Sequence, residues 1–573
     1  MGSGEGPRRV GAARYGGRVR IDPKRWFSRK TLGKDAAAGL VLGIEAVPDG
    51  LAAGLLAGVN PLAGLYAYMF GLVGAAAFTS SSFMAVQATG AMALVVSDAG
   101  LATRPDPDRA LFTLAVLTGI VMVIAGLLRA GRLVSFVPTP VMTGFITAIG
   151  VNIVLGQLSN FTGYAAEGSN RLLKTLDVVV HIGQWSVASV VVGAITILLI
   201  MVLRPTRVGS LGLVVAVVVG SVCAVLLNLW VGDPVIQLRD IVDVPRGLPA
   251  PVLPSLADVA FLILPAVSLA FIGLVQGAAV SASIPTVDGR PANTNRDFIG
   301  QGAGNLVAGV FQGMPVGGSM SGSSLIVQAG AKSRLALFIA GAVMALVVFV
   351  AADLVAFVAM PALAGLLIVV GIGAIKPSRV YSVVKSGALP TAIMAVTFGL
   401  TLIIPLQFAV LAGVGLGIIL FVAQQSNRVR VRAVRIEDDG RLRELDPPPV
   451  VPADGVLVLQ PYGSLFFASS PVFEKQLPEV SRESRGAVVI VRLRGTDQIG
   501  LSLVDVLRRF AHRLRDADSS LKIVASEQRV IDQLEAGGLL ADIGDGNVYK
   551  GTEWVGETLR RAYADALGEI GQS

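Results

Sequence analysis

The sequence has little of the residue types that form metal and disulfide sites. It contains one cysteine, Cys223, and two histidines, His181 and His512, in 573 residues. A single cysteine excludes an intramolecular disulfide, and two histidines argue against a histidine-based metal site. Nucleophile elbows, Walker loops and zinc-ligand spacings are also missing. The sequence therefore predicts no catalytic residues, no metal site and no enzyme.

Charged residues are scarce as well, at 15% of the chain, whereas 53% of residues are hydrophobic and the mean hydropathy is +0.70. This balance excludes an ordinary soluble protein and predicts an α-helical polytopic membrane protein. The charges concentrate in the first 34 residues and after Gln424. The N-terminus shows no short hydrophobic core followed by a cleavage site, so we expect no cleaved signal peptide.

Apolar runs between Pro, Gly and charged breaks predict about fourteen membrane spans, each of about 20 residues. Three of the runs are short for a full crossing. The candidate spans are residues 37–56, 62–79, 88–100, 110–128, 134–157, 182–203, 209–231, 258–281, 296–312, 320–331, 335–352, 355–374, 388–404 and 407–423.

The loop charges predict the orientation of these spans. Eleven Lys and Arg residues lie in loops on the N-terminal side of the membrane and six on the other side, and ten more precede Asp35. By the positive-inside rule, both termini are expected in the cytoplasm, which fits a multi-pass protein of the plasma membrane. The basic tail adjoins a span, so we interpret it as a topology signal that contacts anionic lipid, not as a nucleic-acid binder.

Two of the short runs have an unusual composition. Phe83–Val96 (FMAVQATGAMALVV) and Met314–Val327 (MPVGGSMSGSSLIV) each begin with extended-type residues and then change to a short helical pattern. Each predicts a half-helix that begins in mid-membrane, where free N–H groups and the positive end of the helix dipole bind an anion. The alternative is that the glycines and serines only pack helices together. Two such segments in corresponding places of two chain halves favour the anion site.

Three stretches resemble the SulP sulfate-permease family. The first, VPDGLAAGLLAGVNPLAGLY, is similar to the opening signature of the family, and NTNRDFIGQGAGNLVAGVFQGMPVGGSMSGSS is similar to a second family motif. The third is the C-terminal soluble region, which resembles a STAS domain. The matching landmarks are Pro48, Ala57, Gly58, Pro61, Gly64, Leu65 and Tyr66 in the first stretch and Asn295, Asp297, Gly302, Asn305, Phe311, Gly313, Pro315 and Gly317 in the second.

The resemblance implies the seven-plus-seven inverted-repeat fold shared with uracil-type permeases, in which a core domain carries the anion and moves against a gate domain. It also implies a homodimer. Members of the family carry sulfate, bicarbonate, chloride, oxalate or dicarboxylates. The residues expected to bind the anion are Gln87, Ala88, Thr89, Gly90, Gln276, Gly318, Ser319, Met320, Ser321, Gly322 and Ser323.

The chain departs from the family pattern at charged positions. Many members have an acid midway in the eighth span, where this chain has Gln276, and an arginine at the start of the tenth span, where it has Gly322. A Gly-Pro pair of the third span is replaced by Val86 and Gln87. A site without its arginine depends more on backbone dipoles, and a missing acid leaves cation coupling without its usual carrier.

Two acids lie inside the first span. Glu45 and Asp49 are four residues apart and so share a helix face, which Pro48 can open by removing a backbone hydrogen bond. Because intramembrane acids are costly, they indicate function by default. Our hypothesis is that this pair replaces the acid of the eighth span and couples transport to H⁺ or Na⁺; no other cofactor is expected. The alternative is that the acids are passive, with Glu45 solvated in a cytoplasmic vestibule.

The predicted domains are a basic cytoplasmic tail at residues 1–34, a transmembrane transport domain at 35–425, a charged, proline-rich linker at 426–453 and an α/β STAS domain at 454–573. The phospho-switch turn of STAS domains matches Gly500, Leu501, Ser502 and Leu503, which keep one hydroxyl.

Three functions remain open from the sequence. The first is a secondary transporter of a small inorganic anion, with sulfate ahead of bicarbonate, coupled to H⁺ or Na⁺. The second is an uncoupled anion channel or exchanger, favoured by the residues at positions 276 and 322. The third is a membrane-anchored signalling scaffold that acts through the STAS domain.

Overall fold

The computed structural model describes residues 31–131, 138–168, 170–206, 209, 211–230, 234–284, 286, 292–437, 439–554 and 556–571. Side chains 407, 410, 411, 413, 414, 418, 421 and 424 lie outside this description. Of the predicted basic tail, residues 1–30 are also outside the described residues. The chain divides into two compact units, Met1–Gly415 and Leu416–Ser573.

The first unit is helical. Its first half contains α1 (Leu32–Ala57), α2 (Pro61–Phe78), α3 (Gly90–Asp98), α4 (Pro107–Leu127), α5 (Thr139–Thr162), α6 (Arg171–Val180), α7 (Val187–Leu203) and α8 (Leu211–Leu227). Its second half contains α9 (Val259–Ser283), α10 (Thr294–Val310), α11 (Met320–Gln328), α12 (Leu335–Val350), α13 (Ala352–Ala356), α14 (Met360–Ala374), α15 (Pro377–Lys385), α16 (Ala388–Ile403) and α17 (Leu406–Ser426), which continues into the second unit.

Every one of the fourteen predicted spans contains a helix in the described residues, and α6, α13 and α15 are additional. Among the residues that the structure describes, six helical segments are long and apolar enough to cross a membrane, and five shorter helices are also apolar. α6 and α15 are amphipathic, with charged and apolar residues on different faces, which is why a search for continuous apolar runs misses them.

The helices pack in two corresponding sets. α1 packs against α12 as α9 packs against α4, and α2 packs against α12 as α10 packs against α4. α5 contacts α14 and α16, while α14 contacts α5 and α7. This packing maps each half of the unit onto the other, as expected of an inverted repeat. We call α1–α4 with α9–α12 the core bundle, and α5, α7, α8, α14, α16 and α17 the gate bundle.

The glycines of the first motif allow α1 and α2 to approach closely. Asn60 caps α2 by accepting a hydrogen bond from the Leu62 N–H at 2.9 Å. A Cβ on Gly64 would overlap the Gly50 carbonyl oxygen and lie 2.6 Å from the Gly54 nitrogen. The motif therefore fixes the crossing of two core helices.

We expect Gly64→Ala to destabilise the protein by about 1–3 kcal/mol, because the added methyl group meets backbone atoms that cannot move aside. Thermal unfolding of the detergent-purified protein, followed by size-exclusion chromatography, measures the effect. Gly373→Ala is the control, since a Cβ there meets nothing within 4 Å. Equal unfolding temperatures for the two variants would contradict the packing argument.

The second unit is an α/β domain around a six-stranded sheet in the order β4-β3-β5-β6-β7-β8, with β3 antiparallel to both neighbours and β5 to β8 parallel. Strands are numbered along the chain, and the first two, β1 (Ala85–Gln87) and β2 (Gly317–Ser319), belong to the first unit. The sheet strands are β3 (Arg430–Ile436), β4 (Leu442–Leu445), β5 (Val456–Tyr462), β6 (Val488–Leu493), β7 (Ser520–Ala525) and β8 (Val548–Lys550). The helices are α18 (Ser470–Glu474), α19 (Leu501–Asp516), α20 (Gln528–Ala536), α21 (Leu539–Ile543) and α22 (Glu557–Ile570).

The prediction of an extended linker at 426–453 is wrong for residues 430–436 and 442–445, because these form β3 and β4 of the sheet. In β3, Val431 and Ala433 are buried and pair with β5, while Arg430 is exposed. Arginines alternating with small apolar residues have the period of a half-buried strand, so the charge of this segment concealed its strand pattern.

The sheet of the second unit is covered on both faces. Val489 and Val491 of β6 face the core that includes α19, whereas Val488 and Ile490 face the core that includes α22. Ser502 is exposed in the first turn of α19. The predicted α/β arrangement of this region is confirmed.

Candidate functional site

The two short segments meet in the core bundle. β1 pairs antiparallel with β2, with Ala85 opposite Ser319 and Gln87 opposite Gly317. α3 follows β1 after two residues, and α11 follows β2 directly. Both predicted half-helices are therefore present, and their N-termini lie at one strand crossing.

Hydroxyl groups cap both half-helices. Thr89 accepts a hydrogen bond from the Met92 N–H at 3.4 Å, and Ser319 accepts one from the Gly322 N–H at 3.2 Å. The first N–H groups of a helix have no partner within the helix. Because Ser321 is exposed and Gly90 is half-buried, the first turns of both helices are open to a ligand, and their dipoles favour an anion.

Gln276 of α9 lies at the start of the first half-helix. The Thr89 hydroxyl donates a hydrogen bond to Gln276 Oε1 at 2.9 Å. Gln276 Oε1 also lies 3.6 Å from the position of a Cβ on Gly317. The structure thus brings the predicted residue of the eighth span to the start of the first half-helix.

Gln87 explains the glycine at position 322. The Gln87 side chain is 2% exposed, and a Cβ built on Gly322 would overlap its Oε1. Gln87 therefore fills the space into which a side chain at 322 would extend. The polar side chains that converge here are amides and hydroxyls, so an anion at this place would meet hydrogen-bonding groups and helix dipoles but no basic side chain from these residues.

The other predicted residues support the crossing. Ala88 and Gly318 are buried backbone positions, and the Gly318 N–H donates to Gln301 Oε1 at 3.0 Å. Ser323 accepts a hydrogen bond from the Ala85 N–H at 2.9 Å, which joins α11 to β1. Gln301 was not predicted from the sequence, because nothing in its local pattern shows that α10 lies behind β2.

Met320 begins α11 and is 39% exposed.

Asn305 of α10 holds the chain just before β2: the Val316 N–H donates to Asn305 Oδ1 at 2.9 Å, and Asn305 Nδ2 donates to the Val316 carbonyl at 2.7 Å. The second sequence motif therefore contains a backbone support for the half-helix, and Asn305 acts without contacting the open turns.

Glu45 and Asp49 lie on α1, which contacts both α3 and α11. Glu45 is 7% exposed and Asp49 is half-buried. Neither makes a hydrogen bond or ion pair with another described residue, and both lie in the vicinity of Tyr68 of α2. Leu56, two turns beyond Asp49 on α1, lies 3.8 Å from a Cβ position on Gly90. Helix α1 therefore contacts both half-helices, and its two acids are not hydrogen-bonded to either of them in the described residues.

A cavity lies where the core faces the gate. Gln276 is the polar amide in its wall, and the other walls are mostly apolar side chains of α5, α9, α16 and α17. The lining residues are Val141, Met142, Phe145, Ile146, Phe271, Ile272, Val275, Gln276, Thr397 and Ala409. An anion bound at the half-helices is thus faced by an apolar gate surface.

We expect Gly322→Ala to reduce anion uptake and to destabilise the protein by about 1–3 kcal/mol, because its methyl group displaces the Gln87 amide. Adding Gln87→Ala removes the overlap, so the double variant is expected to recover stability but not uptake. A double-mutant cycle of unfolding temperatures measures this coupling. Gly399→Ala, where a Cβ meets nothing within 4 Å, is the control, and additive effects at 87 and 322 would refute the contact.

Comparison with known proteins supplies the family. The sequence profile of the Sulfate permease family matches residues 32–397, and that of the STAS domain matches residues 448–559. YbaR, a proposed sulfate transporter of Bacillus subtilis, is 29% identical over 78% of this chain and 84% of its own length. The bicarbonate transporter BicA of Picosynechococcus sp. is 30% identical over 71% of this chain and 73% of its own.

The fold also matches solved structures. A structure of SLC26A9 superposes with a TM-score of 0.82 and 19% sequence identity, and the match covers 96% of this chain and 93% of that one. This likeness extends over the helical unit and the C-terminal α/β domain.

Proposed function

Because the chain belongs to the sulfate permease family, a family of anion transporters and not of enzymes, we propose that it is a secondary active transporter of a small inorganic anion, with sulfate as the substrate. The helical unit makes it a multi-pass membrane protein. Similarity to YbaR supports sulfate, and similarity to BicA makes bicarbonate the second candidate.

One observation carries the proposal: two half-helices begin at one antiparallel strand crossing inside the core bundle. Irregular backbone at membrane depth persists where it is buried in protein or lines a cavity. The open first turns at Gly90 and Ser321 provide N–H donors for an anion, and the amide of Gln276 adds a hydrogen-bonding group.

The transport step we propose is an elevator-like movement of the core bundle against the gate bundle. The strand pair, Gln276 and the supporting residues Gln301 and Asn305 all belong to the core, so the anion travels with it. The gate side of the cavity, formed by residues such as Phe145 and Ala409, binds no anion tightly because it is apolar.

Coupling to H⁺ or Na⁺ is proposed for Glu45 and Asp49. The site contains amides and hydroxyls, whereas these two acids lie on the adjacent helix α1 without a hydrogen-bonding partner among the described residues. A cation bound at the acids would offset the repulsion between them and an incoming anion. This arrangement supports symport of anion and cation.

We further propose a homodimer in the plasma membrane with both termini in the cytoplasm. Loop cations support the orientation, since eleven lie on the side of the N-terminus and six on the other. Exposed apolar side chains on the gate helices α7 and α8, among them Leu198, Met201, Val218 and Val222, suit contact with lipid or with a second copy.

Uptake into proteoliposomes tests the function. Labelled sulfate, bicarbonate and fumarate are each supplied with and without imposed pH and Na⁺ gradients. We expect sulfate to accumulate above equilibrium only when a gradient is imposed. Equilibration without accumulation would instead support an uncoupled exchanger or channel, the second candidate, which the neutral residues Gln276 and Gly322 favour. Folded protein that moves none of the anions would overturn transport and favour a signalling scaffold.

A further inference from the structure

An ion pair joins the core bundle to the gate side of the molecule. Asp98 is the last residue of α3 and Arg171 is the first residue of α6. Arg171 Nη2 lies 2.8 Å from Asp98 Oδ1, and the two side chains are 19% and 16% exposed. Arg171 Nη2 also donates to the Leu94 carbonyl at 3.3 Å, so the cation lies at the negative end of the half-helix dipole.

Asp98 also binds the gate bundle directly. The N–H of Leu406, the first residue of α17, donates to Asp98 Oδ2 at 3.0 Å. The Arg171 side chain runs along α5, where its Cδ lies 3.9 Å from a Cβ position on Gly156. Leu56 of the core helix α1 reaches the same position at 3.9 Å. Two gate-side segments, α6 and α17, therefore meet the end of α3 at one carboxylate, and α5 packs against the side chain of Arg171.

We propose that Arg171 and Asp98 form a lock that closes one face of the transporter and must open each time the core moves. The inference rests on the proposed transport function, since a core that never moves needs no lock. While the lock is closed, α3 is held to α6 and α17 at its C-terminal end. The N-terminal end of the same helix carries the anion site, so the lock acts on the moving element itself.

The opposite face has no equivalent lock in the described residues. α15 follows α14 as α6 follows α5, and therefore corresponds to it in the repeat. Its cations Lys376, Arg379 and Lys385 are exposed and form no ion pair with a described carboxylate. α11, the counterpart of α3, ends at Gln328 instead of an acid. This asymmetry favours a resting state that is closed on the α6 face, which in the proposed orientation is the external face.

Thiol labelling tests the lock without knowledge of the substrate. The chain has one cysteine, so Cys223→Ser gives a cysteine-free background. Ile153→Cys places a reporter on α5 that is buried against the start of α3. We expect Arg171→Ala to raise the rate of labelling by a membrane-impermeant maleimide, added on the α6 face of full-length protein in vesicles, by about tenfold. Arg379→Ala, its unpaired counterpart, is expected to leave the rate unchanged.

Cross-linking gives a second, independent measurement. In the same background, Asp98→Cys with Arg171→Cys is treated with a short, reducible bifunctional thiol reagent. We expect sulfate uptake to fall to background and to recover after reduction. Full uptake by fully cross-linked protein, or equal labelling of the Arg171→Ala and parent proteins, would overturn the lock. If labelling responds as expected but no anion is transported by the parent protein, the lock stands and the proposed function fails.

Discussion

Asp297→Ala is expected to abolish accumulation of folded protein, the largest effect of any single substitution considered. The Asp297 carboxylate is buried and accepts five hydrogen bonds. Its donors are the Ser80 N–H at 2.6 Å, the Ser80 hydroxyl at 2.8 Å, the Ser81 N–H at 2.9 Å, the Ser81 hydroxyl at 2.7 Å and the Ser281 hydroxyl at 2.6 Å. One side chain thus holds together α10, α9 and the loop that leads into β1.

Removing the carboxylate leaves the Ser80 N–H, the Ser81 N–H and the Ser81 hydroxyl without this acceptor, whereas the hydroxyls of Ser80 and Ser281 can still donate to the carbonyls of Asn293 and Gly277. Each unsatisfied buried group costs about 1–3 kcal/mol, so the sum is comparable to the total stability of about 5–15 kcal/mol of an ordinary domain. The yield of monodisperse protein in detergent measures the loss. Asp297→Asn keeps one acceptor oxygen and is expected to give an intermediate yield.

A second control for Asp297 uses an exposed acid. Asp353 pairs with Arg246 at 2.5 Å, but both side chains are about 70% exposed. Exposed ion pairs contribute about 0–1 kcal/mol. Asp353→Ala is therefore expected to match the parent protein in yield. A parent-like yield of Asp297→Ala would show that the hydrogen bonds to this carboxylate do not hold the core bundle together.

Asp49→Asn is expected to abolish the dependence of uptake on an imposed pH or Na⁺ gradient. Asparagine has nearly the same size, but it neither takes up a proton nor offers a negative charge to Na⁺. Glu45 lies one turn away on the same face of α1. Glu45→Gln is therefore expected to weaken the gradient dependence by no more than Asp49→Asn does.

Uptake driven by opposing and matching gradients measures this coupling in proteoliposomes. We expect accumulation by the parent protein and only equilibration by the Asp49→Asn variant, with at least a tenfold difference in the final concentration ratio for a 1-unit pH gradient. Asp108→Asn changes an exposed acid at the start of α4 and serves as the control. Gradient-driven accumulation by Asp49→Asn would remove Asp49 from the coupling mechanism.

The half-helices could be predicted from the sequence because their cause is local. Residues such as Val86 and Gln87 favour an extended chain, whereas the residues from Gly90 onward continue as a helix after the Thr89 cap. Hydrophobic runs likewise located a helix in each of the fourteen predicted spans. These features depend on a few consecutive residues, so one chain without relatives is enough to find them.

The remaining parts of the site depend on distant partners. Gln301 supports β2 because α10 packs behind it, and Arg171 reaches Asp98 across 73 positions of the sequence. No local sequence pattern predicts such contacts. The strand β3 was not predicted for a different reason. Its arginines, including Arg430, suggested a charged linker, although Val431 between them is buried in the sheet.

The pairing of β1 with β2 has a consequence for how such a protein can originate. Each strand belongs to one half of the inverted repeat, and the main-chain ladder forms only when both halves are present in opposite orientations. A single ancestral half, inserted in one orientation, would have an unpaired strand and one open helix end. Two copies with opposite topology would have had to meet before anion binding was possible. Each half thus depends on the other for its ladder, and the two halves also differ: among the described residues, α3 ends at Asp98 paired with Arg171, whereas α11 ends at Gln328.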